Sequence, residues 1–271
     1  MRLHLLTYAT SSFARQSKGL ADGALALGFD SARVCGPQDI EGTTFHQRNT
    51  AILAAPRGAG FWLWKPYLIL ERVRQLASDE CLLYCDAGRT GYYAFTSVPH
   101  RLIALMQKGG KGFLLGCPVP HLGIIRHWTK RDCLELMAAT DGPVLDAPLL
   151  MTWSLWTNTP ESIAFLEDWL AYTTDPRCLS DWPNELGKPN LAGFREHRFD
   201  QSIMSILAYQ KAAPRVDFSR SLVQRLIEWR PGSELANTFY KRPQNAEDLL
   251  AGYGPAVLVR EYLRLRRFKG Q

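Results

Sequence analysis

The run Cys81-Leu82-Leu83-Tyr84-Cys85 does most to limit what this chain can become. Its apolar residues follow one another without a polar alternation, which describes a strand covered on both faces rather than one laid against water. Asp86 ends the run. Such a strand belongs in the middle of an α/β sheet, and the preceding segments agree. His4-Leu5-Leu6-Thr7-Tyr8 reads as a first strand, Phe13 to Leu27 as a helix, and Ser31 to Cys35 as a second strand before Gly36-Pro37. Tyr67 to Leu76 carries Ile69, Val73 and Leu76 at helical spacing, behind a proline (Pro66) suited to a first turn. Strand and helix thus alternate over the first ninety residues, as in an open, mostly parallel twisted sheet flanked by helices.

The alternation continues. Val98 to Gln107 reads as a helix, Gly112 to Gly116 as a strand, Asp132 to Ala139 as a helix, and Ser162 to Tyr172 as a strongly periodic helix through Ile163, Phe165, Leu166, Trp169 and Leu170. Asp175 to Arg195, rich in Pro, Gly, Asn and Asp, predicts a surface loop with the length of a binding lid. A helix resumes from Asp200 to Gln210. No repeat, low-complexity tract or linker divides the chain.

With 46% hydrophobic and 21% charged residues over 271 positions, disorder, fibre and coiled coil are excluded. A chain of this length buries roughly 70 to 75% of its unfolded surface, so neither disulfides nor a structural metal are needed to fold it. The formal charge is +6, yet Val257 to Gln271 alone holds five basic residues and one acidic, a net of +4. The rest is nearly neutral, which argues against nucleic acid as a partner. In the tail, cations alternate with aliphatics from Val257 to Lys269, a pattern suited to an anionic membrane surface or to a final docking helix. Cys35, Cys81, Cys85, Cys117, Cys133 and Cys178 form no CxxC pair and read as reduced core thiols. The N-terminal Met-Arg-Leu-His-Leu-Leu is too short for a signal h-region, and every apolar run is broken before it reaches membrane-spanning length. The expected location is the cytoplasm, peripheral at the inner face of the plasma membrane.

Three segments carry candidate chemistry. In Arg57-Gly58-Ala59-Gly60-Phe61-Trp62-Leu63-Trp64-Lys65-Pro66, glycines, tryptophans and two cations precede a helix start. Helix-terminal amides beside Arg57 and Lys65 suit a diphosphate; structurally, the tryptophans are core anchors and the cations solvated. The segment is neither a P-loop nor GxGxxG. Asp86, at the carboxyl end of a buried strand, stands where open α/β sheets bind ligands and where one carboxylate can hold Mg²⁺ or Mn²⁺; a turn aspartate before Gly88 is the plainer reading. In His197-Arg198-Phe199-Asp200-Gln201-Ser202, Asp200 is either an N-cap or a carboxylate that orients or deprotonates a hydroxyl. Gln201 can hydrogen-bond a sugar, and His197 and Arg198 can meet a phosphate. His121 and His127 lack the helical i, i+4 spacing of a zinc pair, and Trp128 to Arg131 reads as an acceptor-cleft lining or a solvated turn.

Taken together, Gly60 to Pro66, Leu83 to Gly88 and Arg198 to Ser202 resemble a group of bacterial GT-A-fold glycosyltransferase-like proteins of surface polysaccharide synthesis. The similarity runs over residues 3 to 210. It implies a GT-A-like catalytic domain over 1–256, with a Rossmann-like nucleotide-sugar-binding half at 1–118, an acceptor half at 119–256 and a basic tail at 257–271. It also implies transfer of a sugar from a nucleotide-diphosphate donor, a UDP-sugar first among them, to a hydroxyl of a glycan or lipid-linked glycan. Thr7 and Tyr8 would contact the base, Arg57 and Lys65 the diphosphate with Trp64 beside them, Asp86 a metal or the donor ribose, and Asp200 with Gln201 the acceptor side. Gly88 stands at the second acidic position of the family's DxD motif, so an Mn²⁺ or Mg²⁺ cofactor would need a further ligand, His121 or Asp200. The alternatives are a nucleotidyl or phosphoryl transferase on a similar fold and a non-catalytic carbohydrate-binding relative.

Overall fold

The continuous apolar run becomes the middle strand of a five-stranded sheet. The computed structural model describes residues 1–87, 98–116, 123–150 and 153–216, with the backbone of 92–94 and 240–242. Gly88, Cys117, His121 and the basic tail lie outside them. The first elements are β1 (Arg2–Tyr8), α1 (Ala14–Ala26), β2 (Ser31–Cys35), α2 (Thr44–Arg48), α3 (Thr50–Leu53), α4 (Gly58–Phe61), α5 (Trp64–Val73) and β3 (Glu80–Tyr84). Then come β4 (Tyr92–Ala94), α6 (His100–Gly109), β5 (Phe113–Leu115), α7 (Ile125–Trp128), α8 (Arg131–Leu136), β6 (Ser154–Trp156), α9 (Pro160–Thr173), α10 (Pro176–Leu179), α11 (Phe199–Gln210) and β7 (Tyr240–Arg242). Beyond the main sheet, β4 pairs antiparallel with β7.

The sheet order is β2-β1-β3-β6-β5. β1 pairs parallel with β2 and β3, while β6 runs antiparallel to both β3 and β5, so four of the five strands share one direction. This is the open, mostly parallel α/β sheet that the alternation predicts. β3 is buried along its whole length, as a strand flanked on both sides and covered on both faces must be. Burying each of its leucines contributes about 1.5–3 kcal/mol.

Alternation along the strands sorts side chains into two layers. Leu6, Tyr8, Leu82, Tyr84, Phe113, Leu115 and Trp156 pack with α5, α9 and α11. Leu3, Leu5, Cys81, Leu83, Cys85, Leu114 and Leu155 pack with α1 and α6. α9 begins two residues before its apolar periodicity because the Thr159 side chain accepts from Ser162 N and Pro160 takes the first turn.

Two parts differ from the sequence reading. β6 has only three residues, too few for a periodic signal, yet it fills the gap between β3 and β5. The expected loop from Asp175 opens with α10 and is tied down rather than free. Fully buried Asp132 on α8 accepts the backbone N–H of Glu185 (2.6 Å) and Leu186 (3.3 Å), and Lys130 Nζ donates to the Trp182 carbonyl at 2.8 Å. Thr129 and Lys130 are accordingly buried, not a solvated turn.

No helix among the described residues is long and apolar enough to cross a membrane. Cys35, Cys81, Cys85, Cys133 and Cys178 are free and buried. Cys133 and Cys178 face each other with sulfurs 3.3 Å apart, and burial pushes the Cys133 thiol well up.

Candidate active site

The carboxyl ends of β1 and β3 lie at one edge of the sheet, because the strands are parallel. Strand parity carries Asp86 to the same side as Leu82 and Tyr84, which is the side covered by α5. Lys65 stands in the first turn of α5 and meets it there. Its Nζ lies 3.3 Å from Asp86 Oδ1 and 2.8 Å from Asp200 Oδ2. Three segments far apart in sequence thus close on one ammonium.

What places Lys65 is an unusual turn. Gly58, Ala59, Gly60, Phe61 and Trp62 all have positive φ, at 60°, 50°, 93°, 53° and 63°. L residues pay roughly 1–2 kcal/mol each for this left-handed geometry, and such runs persist where the surroundings enforce them, often at functional sites. The glycines are required by space as well. A Cβ at Gly58 would stand 2.3 Å from the Trp62 ring, and one at Gly60 would stand 2.8 Å from Leu53 Cα. Trp64 Nε1 donates to the Gly58 carbonyl at 3.0 Å, and the Trp64 ring stacks on Tyr8 at 3.8 Å. The N–H groups of Ala59 through Leu63 and of Lys65 each bond a carbonyl of residues 55–62. They are used inside the turn, so the segment works through its side chains rather than as a cradle of free amides.

Phe199 is left-handed too, with φ 49°, immediately before Asp200. Asp200 therefore enters α11 as its second residue and points into the interior, while Trp169 Nε1 donates to its carbonyl at 3.2 Å. It does not cap the helix. The neighbouring Gln201 Nε2 donates to the Leu150 carbonyl at 2.7 Å, and Ser202 Oγ to the Trp128 carbonyl at 2.6 Å.

Charge in this site is unevenly exposed. Lys65 is 1% exposed, whereas the Asp86 side chain is 32% exposed. Burial pushes the Lys65 ammonium toward the neutral form, but Asp200 and Asp86 outweigh it and its pKa is raised. Burial lifts Asp200 to about 6, with Asp86 adding to the rise and Lys65 opposing it. The Tyr84 hydroxyl donates to Asp86 Oδ1 at 2.5 Å, and burial followed by the Asp86 charge keeps that phenol well above its ordinary range.

The remaining candidates fall into three groups. Tyr8 faces α5, and one face of its ring is covered by Trp64; burial lifts its hydroxyl to about 12. Thr7 is buried and belongs by parity to the opposite face of the sheet, with no hydrogen-bond partner for Oγ1 among the described residues. Arg57 and Arg198 share Glu196, at 3.4 and 2.9 Å, and Arg57 also pairs with Asp181 at 3.3 Å. Arg57 sits 4.7 Å above the ring of Phe199, the residue before Asp200, and Arg198 lies 4.5 Å over the Trp128 ring. His197 lies apart from the group: Lys130 N donates to its Nδ1 (3.3 Å) and its Nε2 donates to the Cys178 carbonyl (2.9 Å). That arrangement fixes the neutral ring, and burial with the nearby Lys130 charge lowers its pKa to about 3.

The sequence could not show that Lys65 is buried or that Tyr84 belongs to the site. The one signal for Tyr84 was its position two residues before Asp86 on a strand, which places both side chains on one face.

A divalent cation fits this donor set poorly. Asp86 Oδ1 already pairs with Lys65 and accepts from the Tyr84 hydroxyl, and Asp200 Oδ2 pairs with Lys65. A doubly charged ion about 4 Å from the ammonium would meet repulsion of roughly 8 kcal/mol at an effective dielectric of 20.

No protein-family model matches the chain, and no curated protein is similar to it in sequence. Among solved structures, it is similar to the apo form of mouse xyloside xylosyltransferase 1, with a TM-score of 0.45 and 9% identity over 89% of this chain and 97% of that one. A likeness of that size says nothing of donor, acceptor or reaction.

Proposed function

We propose that this chain is a glycosyltransferase that moves a sugar from a nucleotide-diphosphate donor, of the UDP-sugar class, to a hydroxyl of a glycan or lipid-linked glycan. The observation that carries the reading is the convergence of Lys65, Asp86 and Asp200 at the carboxyl edge of the sheet, where open α/β sheets bind ligands. These are the residues that the sequence resemblance assigns to donor and acceptor.

Asp200, with a pKa near 6, is mostly ionised at neutral pH and basic enough to take a proton. As the acceptor oxygen bonds to the anomeric carbon, its proton passes to Asp200, and the anomeric bond to the diphosphate breaks with the electron pair leaving on phosphate. Arg57 and Arg198 receive that departing charge. Their present partners, Asp181 and Glu196, are surface acids in ion pairs worth about 0–1 kcal/mol, which a diphosphate can replace. Asp86, the most exposed of the three, orients the donor. Tyr8 and Trp64 form the aromatic wall beside it. The basic tail would bring the domain to an anionic membrane carrying the acceptor.

Calorimetric titration with UDP, GDP and CMP, followed by donor hydrolysis assays on the wild type and on Asp86→Ala and Asp200→Asn, tests this. Binding of one nucleotide, with hydrolysis lost in both variants at unchanged fold, supports it. Absence of binding to all three nucleotides removes its basis.

A further inference from the structure

We infer that the Lys65 ammonium is the resident cation of this site, occupying the position between Asp86 and Asp200 so that donor binding requires no divalent metal. The inference rests on the nucleotide-sugar reading for the identity of the ligand, and on geometry for the cation.

Three observations carry it. First, Lys65 is enclosed: the side chain is buried and its Nζ lies 5.8 and 5.5 Å from the Trp64 and Tyr84 ring centroids, whose faces favour a positive charge. A solvated lysine that touches acids in passing has no such enclosure. Second, one ammonium touches oxygens of two carboxylates on different elements, as a bridging metal ion would, while Tyr84 occupies the Asp86 oxygen from a further side. Third, the position is built at some cost. The left-handed run from Gly58 to Trp62 ends three residues before Lys65, and the Trp64 indole is bonded back to Gly58. A lysine on an ordinary helix start could swing away from the acids and leave them to a metal; here the turn and the packing hold it in place.

A consequence follows for the variant that lacks it. With Lys65→Ala, Asp86 and Asp200 lose their shared counter-ion and leave a space between them that a divalent cation, as the replacement counter-ion, can fill. Hard divalent cations are bound by one or two carboxylates plus water, so the substitution should create a metal site.

The experiment reads Mn²⁺ directly, by the paramagnetic resonance of free ion and by thermal melting, on wild type, Asp86→Ala, Lys65→Ala and Lys65→Ala/Asp86→Ala. In parallel, UDP is titrated into wild type in EDTA and in Mn²⁺. The expected result is no saturable Mn²⁺ binding by wild type, a UDP affinity that differs by no more than about twofold between the two buffers, and a new Mn²⁺ site in Lys65→Ala that raises its melting temperature and is absent from the double variant. Saturable Mn²⁺ binding by wild type that Asp86→Ala abolishes would overturn the inference. So would UDP binding that depends on Mn²⁺, or a folded Lys65→Ala that gains no site. The wild-type arm decides alone if Lys65→Ala does not fold. A wild type that binds no UDP under either condition counts against the nucleotide-sugar reading, and the Mn²⁺ arm still decides the identity of the cation.

Discussion

Replacing Asp200 with Asn should make the protein more stable at neutral pH while abolishing activity, and the gain should disappear in acid. The carboxyl is buried and titrates near 6, against an ordinary 3.8. Each pKa unit corresponds to 1.36 kcal/mol, so the folded state carries a cost of about 3 kcal/mol when this group is ionised. The folded protein holds the proton more tightly than the unfolded chain does. Stability from this group is therefore fully present below pH 3.8, falls as pH rises toward 6, and stays at its lowest above that. Asn is uncharged throughout and cannot follow the curve. Urea unfolding of both proteins between pH 4 and 7.5 should show Asp200→Asn ahead by up to about 3 kcal/mol at the top of the range, with the difference closing toward pH 4. A difference that does not change with pH, or one that widens in acid, would refute the burial argument and with it the case for Asp200 as a proton acceptor.

Three further outcomes are expected. The imidazole of His197 should stay neutral across pH 4 to 8 in nitrogen NMR spectra, since its pKa is lowered to about 3; titration between 5 and 8 would return it to the phosphate-facing role that the sequence allowed. Gly60→Ala should lose about 2–3 kcal/mol in urea unfolding, because φ is +93° and the new methyl would stand 2.8 Å from Leu53 Cα. Cys133 and Cys178 should resist iodoacetamide at pH 8 until the chain is unfolded, as both are fully buried; mass spectrometry of native protein that shows rapid labelling of either would contradict the packing.

Much of the framework was legible where local pattern and tertiary role coincide. The continuous run at 81–85 announced a strand covered on both faces, and Ser31–Cys35 was found with its bounds. β6 was not, because three residues carry no period and their strand identity comes from pairing with β3 and β5. α2 and α3 are too short to show periodicity. In the site, the three segments were visible as unusual clusters of residue types, but what they do to one another was not. Lys65 reads as a diphosphate ligand or a solvated cation until Asp200, remote in sequence, is brought to 2.8 Å. His197 reads as a phosphate ligand until the Cys178 carbonyl and Lys130 N enclose it. Both depend on contacts that no local window contains.

The stack of Trp64 on Tyr8 gives the site an optical identity of its own. An indole held 3.8 Å from a phenol, bonded through Nε1 and 5.8 Å from a buried ammonium has surroundings quite unlike those of the exposed Trp182. Its emission depends on the charge and polarity immediately around it, all of which belong to the site. Subtracting the spectrum of a Trp64→Phe protein isolates that signal from the other tryptophans. The chain thereby carries an intrinsic fluorophore at the centre of its proposed donor pocket, and ligands of unknown structure can be screened against it without a label, a coupled enzyme or a guess at the reaction.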